Sequence, residues 1–258
     1  KLGCQEAQGY LICQPVPGEN FATPAAVQAA MQGDVTNGGE TQRAKVAVVT
    51  AASSGIGLGA ARALAARGWS LVLMSRSEKI EAAAAELGAT ALRGDVTNDD
   101  DIARLISTAM DLHGRIDGAV INTGHPPKGE ILELTDDDWH TAMEIILMPT
   151  VRAMRHLAPI FARQKSGAAV SVSTYAAREP ELTYPLSAVF RAALSGFLKL
   201  CVARHGGEGW RINAVLPGFV DNYPSKPEAL AKIPMGRYAA VEYEMGATIA
   251  FLLSEDSG

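Results

Sequence analysis

The chain has 258 residues, 48% of them hydrophobic, and a formal net charge of -5. That length suits one large α/β domain, or one domain with an appendage, around a sizeable core. The acidic balance, without a long basic run, argues against nucleic acid as a partner, because phosphate binding needs clustered Lys and Arg. No apolar run reads as the roughly 20 residues of a membrane-spanning helix, and no signal peptide is evident behind Lys1. The three cysteines, Cys4, Cys13 and Cys201, have neither metal-ligand spacing nor a disulfide framework. The expected setting is therefore a reducing cytoplasm, with no protein-bound metal.

In chain order, Lys45–Thr50 (KVAVVT) predicts a buried strand, and Gly55–Gly68 an Ala-rich helix that ends at its last glycine. Ser70–Arg76 predicts a second strand, Glu78–Gly88 a second helix and Ala89–Asp95 a third strand. Asn98 caps a helix whose first turn, Asp99 to Asp101, is acidic as the helix dipole prefers. Ile116–Gly124 is a fourth strand. Thr135 to Asp138 has the form of a capping box and opens a long helix toward Gln164. Ala168–Thr174 is a fifth strand, Ser187–Arg204 a helix, and Trp210–Gly218 a sixth strand ending in Pro-Gly; a last helix is expected from Pro227 to Ala240. Strands alternating with helices imply right-handed crossovers and a parallel sheet covered on both faces, a Rossmann-like, doubly wound, three-layer α/β domain over residues 44–258.

The segment 1–43 shows no such alternation and reads as an extension ending in a linker, Thr36–Arg43 (TNGGETQR). The chain also reaches FLLSEDSG without the further strand expected of such a domain.

The strand ending at Thr50 runs into AASSGIGLG, 51–59, and then a helix. Gly55 and Gly57 let the backbone approach a pyrophosphate, and the helix N-terminus supplies free N–H groups and partial positive charge. Thr50, Ser53, Ser54, Gly55, Ile56 and Gly57 are the expected phosphate-side residues. The second strand ends in Ser75 and Arg76, where an Arg receives the 2′-phosphate of NADP and a carboxylate would hold the ribose of NAD. Arg76 is either that cation or a solvated charge at a strand end; the loop upstream favours the first reading.

These residues resemble the short-chain dehydrogenase/reductase superfamily. Thr50–Gly57 (TAASSGIG) is similar to its TGxxxGIG loop, with Ala51 in place of the first Gly. Gly94–Val96 (GDV) resembles the segment whose Asp, here Asp95, holds the adenine. Ile121–Gly124 (INTG) resembles the NNAG motif and keeps Asn122 and Gly124. Ile212–Val220 (INAVLPGFV) resembles the sixth strand with its Pro217-Gly218 turn beside the nicotinamide. The resemblance implies NADP(H) as cofactor, a small-molecule substrate, and a homodimer or homotetramer built through the two long helices.

It does not extend to the proton relay. The superfamily's Asn, Ser, Tyr and Lys fall on Ile146, Thr174, Ser187 and Arg191, with Ser173 beside Thr174. The departures resemble an atypical ketoacyl-carrier-protein-reductase-like branch that lacks the usual tetrad. A serine hydroxyl is a far poorer acid than a phenol, and an Arg keeps its proton at physiological pH while still able to bond ribose or stabilise an oxyanion. Ser187 and Arg191, four apart, share one helix face. Tyr184, at the cap before Pro185, and Tyr175 offer phenols nearby, with packing as their plainer role. His125, beside Pro126 and Pro127, is a further acid or a solvated side chain, and Arg178 with Glu179 reads as a solvated pair. Thr174, Ser187, Arg191 and Tyr184 are thus the candidate catalytic residues. Two functions stand open: an oxidoreductase with a non-standard site, or an inactive NADP-binding sensor or partner protein.

Separately, Leu2–Phe21 resembles the C-terminal end of an EAL-type cyclic-di-GMP phosphodiesterase domain. None of that domain's acidic metal motifs accompanies it, so no phosphodiesterase activity follows. A fusion remnant, a sequence artefact and coincidence remain open, as does a strand at Gly9–Val16 on the sheet edge.

Overall fold

A computed structural model describes residues 43–257. The expectations for Leu2–Phe21, for a strand at Gly9–Val16 and for the linker over 36–42 fall outside the described residues. Six parallel strands form one sheet: β1 (Val46–Thr50), β2 (Ser70–Ser75), β3 (Thr90–Arg93), β4 (Gly118–Ile121), β5 (Gly167–Val172) and β6 (Trp210–Val215), in the order β3-β2-β1-β4-β5-β6. The doubly wound expectation is met.

β-strand alternation divides the core between the two faces. Val46 and Val48 of β1 pack with Ile102, Leu157 and Leu194; Ala47 and Val49 pack with Leu64, Ile80 and Ile249. The first face is covered by α3 (Asp99–His113), α5 (Met148–Gln164) and α6 (Pro185–His205), the second by α1 (Gly55–Ala65), α2 (Lys79–Leu87) and α8 (Ala247–Leu253). The four central strands, β2, β1, β4 and β5, are short apolar runs buried on both sides, as parallel sheets require, while the edge strands β3 and β6 are partly exposed.

Two expected helices are corrected. The long helix from Thr135 is two helices, α4 (Asp136–Ile146) and α5, meeting at Leu147. Pro149 stands in the first turn of α5 and has no N–H to continue the ladder. Of the helix expected from Pro227 to Ala240, α7 (Pro227–Leu230) forms; the chain then turns through Gly236, at φ 64°, instead of running helically to Ala240. The caps hold as expected. Asn98 accepts from Asp100 N at 2.8 Å, and Thr135 and Asp138 satisfy each other's backbone N–H.

The expectation about membrane-length segments is corrected too. By length and composition Pro185–Glu208 is apolar enough to cross a membrane. The reason is that α6 is apolar on two sides. Leu186, Leu194 and Leu198 cover the sheet, while Val189, Leu200 and Val202 are exposed.

The sheet order reverses between β1 and β4. In open α/β sheets ligands settle outside the strands' carboxyl ends at such a switch point. The loops after all six strands open on that edge.

Candidate functional site

The β1–α1 loop turns within a few residues. Ala51 takes φ 47° and Gly55 φ 55°. A Cβ on Gly57 would stand 2.3 Å from Ala51 O and 3.0 Å from Asn122 Nδ2, so only glycine lets the turn close. Ser54 is the N-cap of α1 and makes no side-chain cap bond; Ile56 packs toward the core. Thr50 Oγ1 accepts from Asn122 N at 2.9 Å and donates to Asn122 O at 2.7 Å, while Asn122 Nδ2 reaches Ala51 O at 3.4 Å. Thr50 and Asn122 therefore fasten the ends of β1 and β4 on either side of the switch point.

At the end of β2, Ser75 Oγ lies 2.9 Å from Ser53 Oγ. Arg76 extends outward with its side chain 77% exposed, Nη1 lying 3.6 Å from Asp95 Oδ2. Asp95 Oδ1 accepts from Thr97 N and Thr97 Oγ1, both at 2.9 Å. Arg76, Asp95, Val96, Gly124 and His125 line a cavity of about 140 Å³. Of the expected nucleotide-side residues, Ser75, Arg76, Asp95, Val96 and Gly124 share this cavity, with Ala51 of the β1–α1 loop.

The expected catalytic residues divide. Thr174 Oγ1 donates to Pro217 O at 3.4 Å, so the β5 end and the Pro217-Gly218 turn are joined. Ser173 Oγ beside it is buried and has no hydrogen-bond partner among the described residues. Ser187 and Arg191 are brought together as the i, i+4 spacing predicts, with Arg191 Nε donating to Ser187 Oγ at 3.3 Å. Both are buried, at 7% and 6% exposure, and Arg191 Nη1 donates to Val172 O. Burial lowers the Arg191 pKa to about 10, which leaves it cationic at neutral pH. Arg191 belongs to none of the ion pairs found among the described residues. Ile146 is fully buried, so no polar group reaches the crevice from that position.

Tyr184 is the N-cap of α6 with Pro185 in the first turn, and Lys128 Nζ lies 4.8 Å from its ring centroid. Tyr175 packs at 6.2 Å from Phe219, which stacks on Tyr238 at 5.3 Å. Burial and a hydrogen bond to Glu181 push the Tyr175 phenol well above its ordinary pKa, so it is a poor acid here. His125 is exposed, yet its surroundings and the Arg191 and Lys128 charges lower its pKa. Arg178 and Glu179 are both exposed.

The sequence reading passed over Asn222 and Tyr223. Asn222 Nδ2 would lie 3.0 Å from a Cβ on Gly55, and Tyr223 OH is 3.2 Å from His125 Nε2. Two polar residues following the Pro-Gly turn were the available signal.

A family model described as enoyl-(acyl carrier protein) reductase matches residues 50–258, from the last residue of β1 onward. The chain belongs to the short-chain dehydrogenase/reductase family. Oxidoreductase UcpA of Salmonella typhimurium is 32% identical over 237 residues, covering 83% of this chain and 89% of that protein. A 3-oxoacyl-[acyl-carrier-protein] reductase of Synechocystis is 31% identical over 224 residues, covering 82% and 90%. The cis-4-hydroxycyclohexanecarboxylate dehydrogenase of Sinomonas cyclohexanicum is 33% identical over 230 residues, covering 84% and 92%. Within this short-chain dehydrogenase/reductase, Ser187 and Arg191 hold each other in a buried position, and Arg76 lies exposed beside Asp95.

Proposed function

We propose that this chain is an NADP(H)-dependent oxidoreductase that interconverts a carbonyl and an alcohol on a small molecule, using a substituted proton relay. The observation that carries the reading is the exposed Arg76 guanidinium at the end of β2, beside Asp95 and above the Ser53–Ser75 contact. A 2′-phosphate there meets a planar cation on one side and two hydroxyls on the other. The crevice fits the rest of the group: Gly57 leaves the turn without side-chain bulk, and the start of α1 offers unpaired N–H groups. Asp95 and Val96 face the adenine; Asn122, Gly124, Pro217 and Gly218 border the nicotinamide end.

Bound there, the nicotinamide supplies or accepts hydride at the substrate carbon. Thr174 orients the substrate oxygen. Arg191, fixed by Val172 O and Ser187 Oγ, places positive charge behind the site, where it favours negative charge on that oxygen or bonds the ribose. Tyr184, or water, delivers the proton, since Ser187 is both a weak acid and already bonded to Arg191. The relatives' names include a 3-oxoacyl reductase and a hydroxy-acid dehydrogenase, both consistent with carbonyl–alcohol chemistry. The same reading places the chain in the atypical branch without the usual tetrad. It acts in the cytoplasm through residues 44–258, as a homodimer or homotetramer, apart from membranes.

A second reading, an inactive NADP-binding sensor or partner protein, is favoured by the burial of Ser187 and Arg191. Incubation with NADPH and a panel of ketones and aldehydes, acetoacetyl-CoA among them, separates the two. Consumption of NADPH with any member supports the enzyme; binding without consumption supports the sensor. Absence of NADPH binding rejects both.

A further inference from the structure

Two charged side chains are buried among the described residues, Asp117 and Arg191. Asp117 is neutralised by Arg115 at 2.6 Å. Arg191 has no such partner: it belongs to no ion pair found among the described residues, and burial lowers its pKa with no carboxylate placed to raise it. An uncompensated cation in a low-dielectric site is costly, and groups held in that state cluster where ligands bind.

The strand register says where this cation stands. Ala168 N donates to Asp117 O, on the β4 side of β5, and alternate residues of a strand face the same neighbour, so Val172 also turns its carbonyl toward β4. β4 ends at Ile121, level with Ser171. The guanidinium bonded to Val172 O therefore sits at the carboxyl edge between β4 and β5, beside the loop that carries Asn122 and His125. Its field reaches that loop. Burial lowers the His125 pKa, and the Arg191 and Lys128 charges lower it further. Of the guanidinium nitrogens, Nε bonds Ser187 Oγ and Nη1 bonds Val172 O, while Nη2 makes no hydrogen bond found among the described residues. Nη2 is not sealed either, because Ser173 Oγ is the one fully buried side-chain nitrogen or oxygen there without a partner.

We propose that Arg191 receives a carboxylate of the substrate, so that the molecule reduced is a short oxo acid. The inference rests on the NADP-dependent oxidoreductase reading and names its substrate class. The Nη1–Nη2 edge of a guanidinium is a planar fork that matches a carboxylate, and the ion pair formed there supplies the charge that the fold leaves out. Thr174 stands two residues beyond Val172, about 7 Å along the strand, so a carbonyl oriented by Thr174 and a carboxylate held by Arg191 are one or two carbons apart. The carbonyl carbon takes a hydride from the reduced nicotinamide and its oxygen takes a proton. A hydroxy acid and oxidised cofactor result, and the carboxylate is unchanged.

The test titrates the NADP⁺-loaded chain calorimetrically with pyruvate, 2-oxohexanoate, phenylpyruvate and acetoacetate, each beside its methyl ester. The oxidised cofactor keeps every ternary complex unreacted. At least one acid is expected to bind at least about tenfold more tightly than its ester, the discrimination of one charge-assisted contact. Arg191→Met keeps the length, removes the charge and brings acid and ester together. Arg191→Lys, a point charge in place of the fork, keeps a reduced preference and gives the answer if the Met variant does not fold; an undiminished preference there counts against Arg191. If NADP⁺ binds and no acid is preferred to its ester, the carboxylate role is wrong and the cofactor reading stands. If Arg191→Met weakens NADP⁺ and leaves the acid preference intact, the cation serves the cofactor and the proposal falls. Should wild type bind no NADP⁺, the cofactor reading falls and takes the proposal with it.

Discussion

Ala51 holds a backbone φ of 47°, a region that costs a residue with a Cβ about 1–2 kcal/mol. It stands where the family loop carries glycine. Ala51→Gly relieves that strain and adds some unfolded-state entropy, so a net gain of about 0.5–1 kcal/mol is expected in urea unfolding. A variant less stable than wild type would show that the alanine methyl contributes more than its strain costs. Arg191 presents the opposite case. Removing it in Arg191→Ala leaves the buried Val172 carbonyl without its donor, with an expected stability loss of about 1–3 kcal/mol. NADPH affinity or turnover falls as well. A folded variant with both unchanged would remove Arg191 from the site. His125 carries a pH signature. Its lowered pKa means the folded chain binds fewer protons there than the unfolded chain once pH falls through the ordinary imidazole range, so acid costs stability. His125→Gln abolishes that term, and between about pH 7.5 and about pH 5 the variant loses less stability than wild type. Identical losses would contradict the assignment. At this scale the sequence marks Ser187 and Arg191 as neighbours through helical spacing. It does not reveal the bond between His125 and Tyr223, which joins loops 98 residues apart.

At the scale of elements, local chemistry is legible and interruptions are not. Asn98 and the Thr135–Asp138 box announce their helices because the capping partners are two or three residues away. The break at Leu147 is subtler: Pro149 signals it, yet the apolar spacing runs through α4 and α5 without a pause. The stretch from Ala231 to Ala240 reads as helical, but the turn at Gly236 serves the loop that brings Ala239 to Val220. Helix α6 shows what an exposed apolar face implies. Val189 and Leu200 are 41% and 72% exposed and share one face of a helix whose other side covers the sheet. If this face pairs copies of the chain, Leu200→Glu places a charge in the interface and shifts the species in light scattering toward monomer. A variant with unchanged mass would exclude Leu200 from any such contact.

Across the whole molecule, the strand order β3-β2-β1-β4-β5-β6 accounts for most of what the alternation of strands and helices predicts. Each apolar run had one place to go in a sheet buried on both faces. The crevice is less legible because its parts obey different rules. Ser75 and Arg76 at the end of β2 and Asp95 after β3 lie close in sequence to strand ends, so the positions that motif spacing marks come together in one cavity. Elsewhere Thr174 meets Pro217, Arg191 meets Val172 and Tyr223 meets His125 from separate elements, and only the packed fold joins them. The account stands on Arg76 as the reader of a 2′-phosphate. Its most direct measurement is a fluorescence titration of wild type and Arg76→Ala with NADPH and NADH. Wild type is expected to bind NADPH at least about tenfold more tightly than NADH, the discrimination of one charge-assisted phosphate contact, and Arg76→Ala to bring the two together. Equal affinities for the two nucleotides in wild type would contradict it.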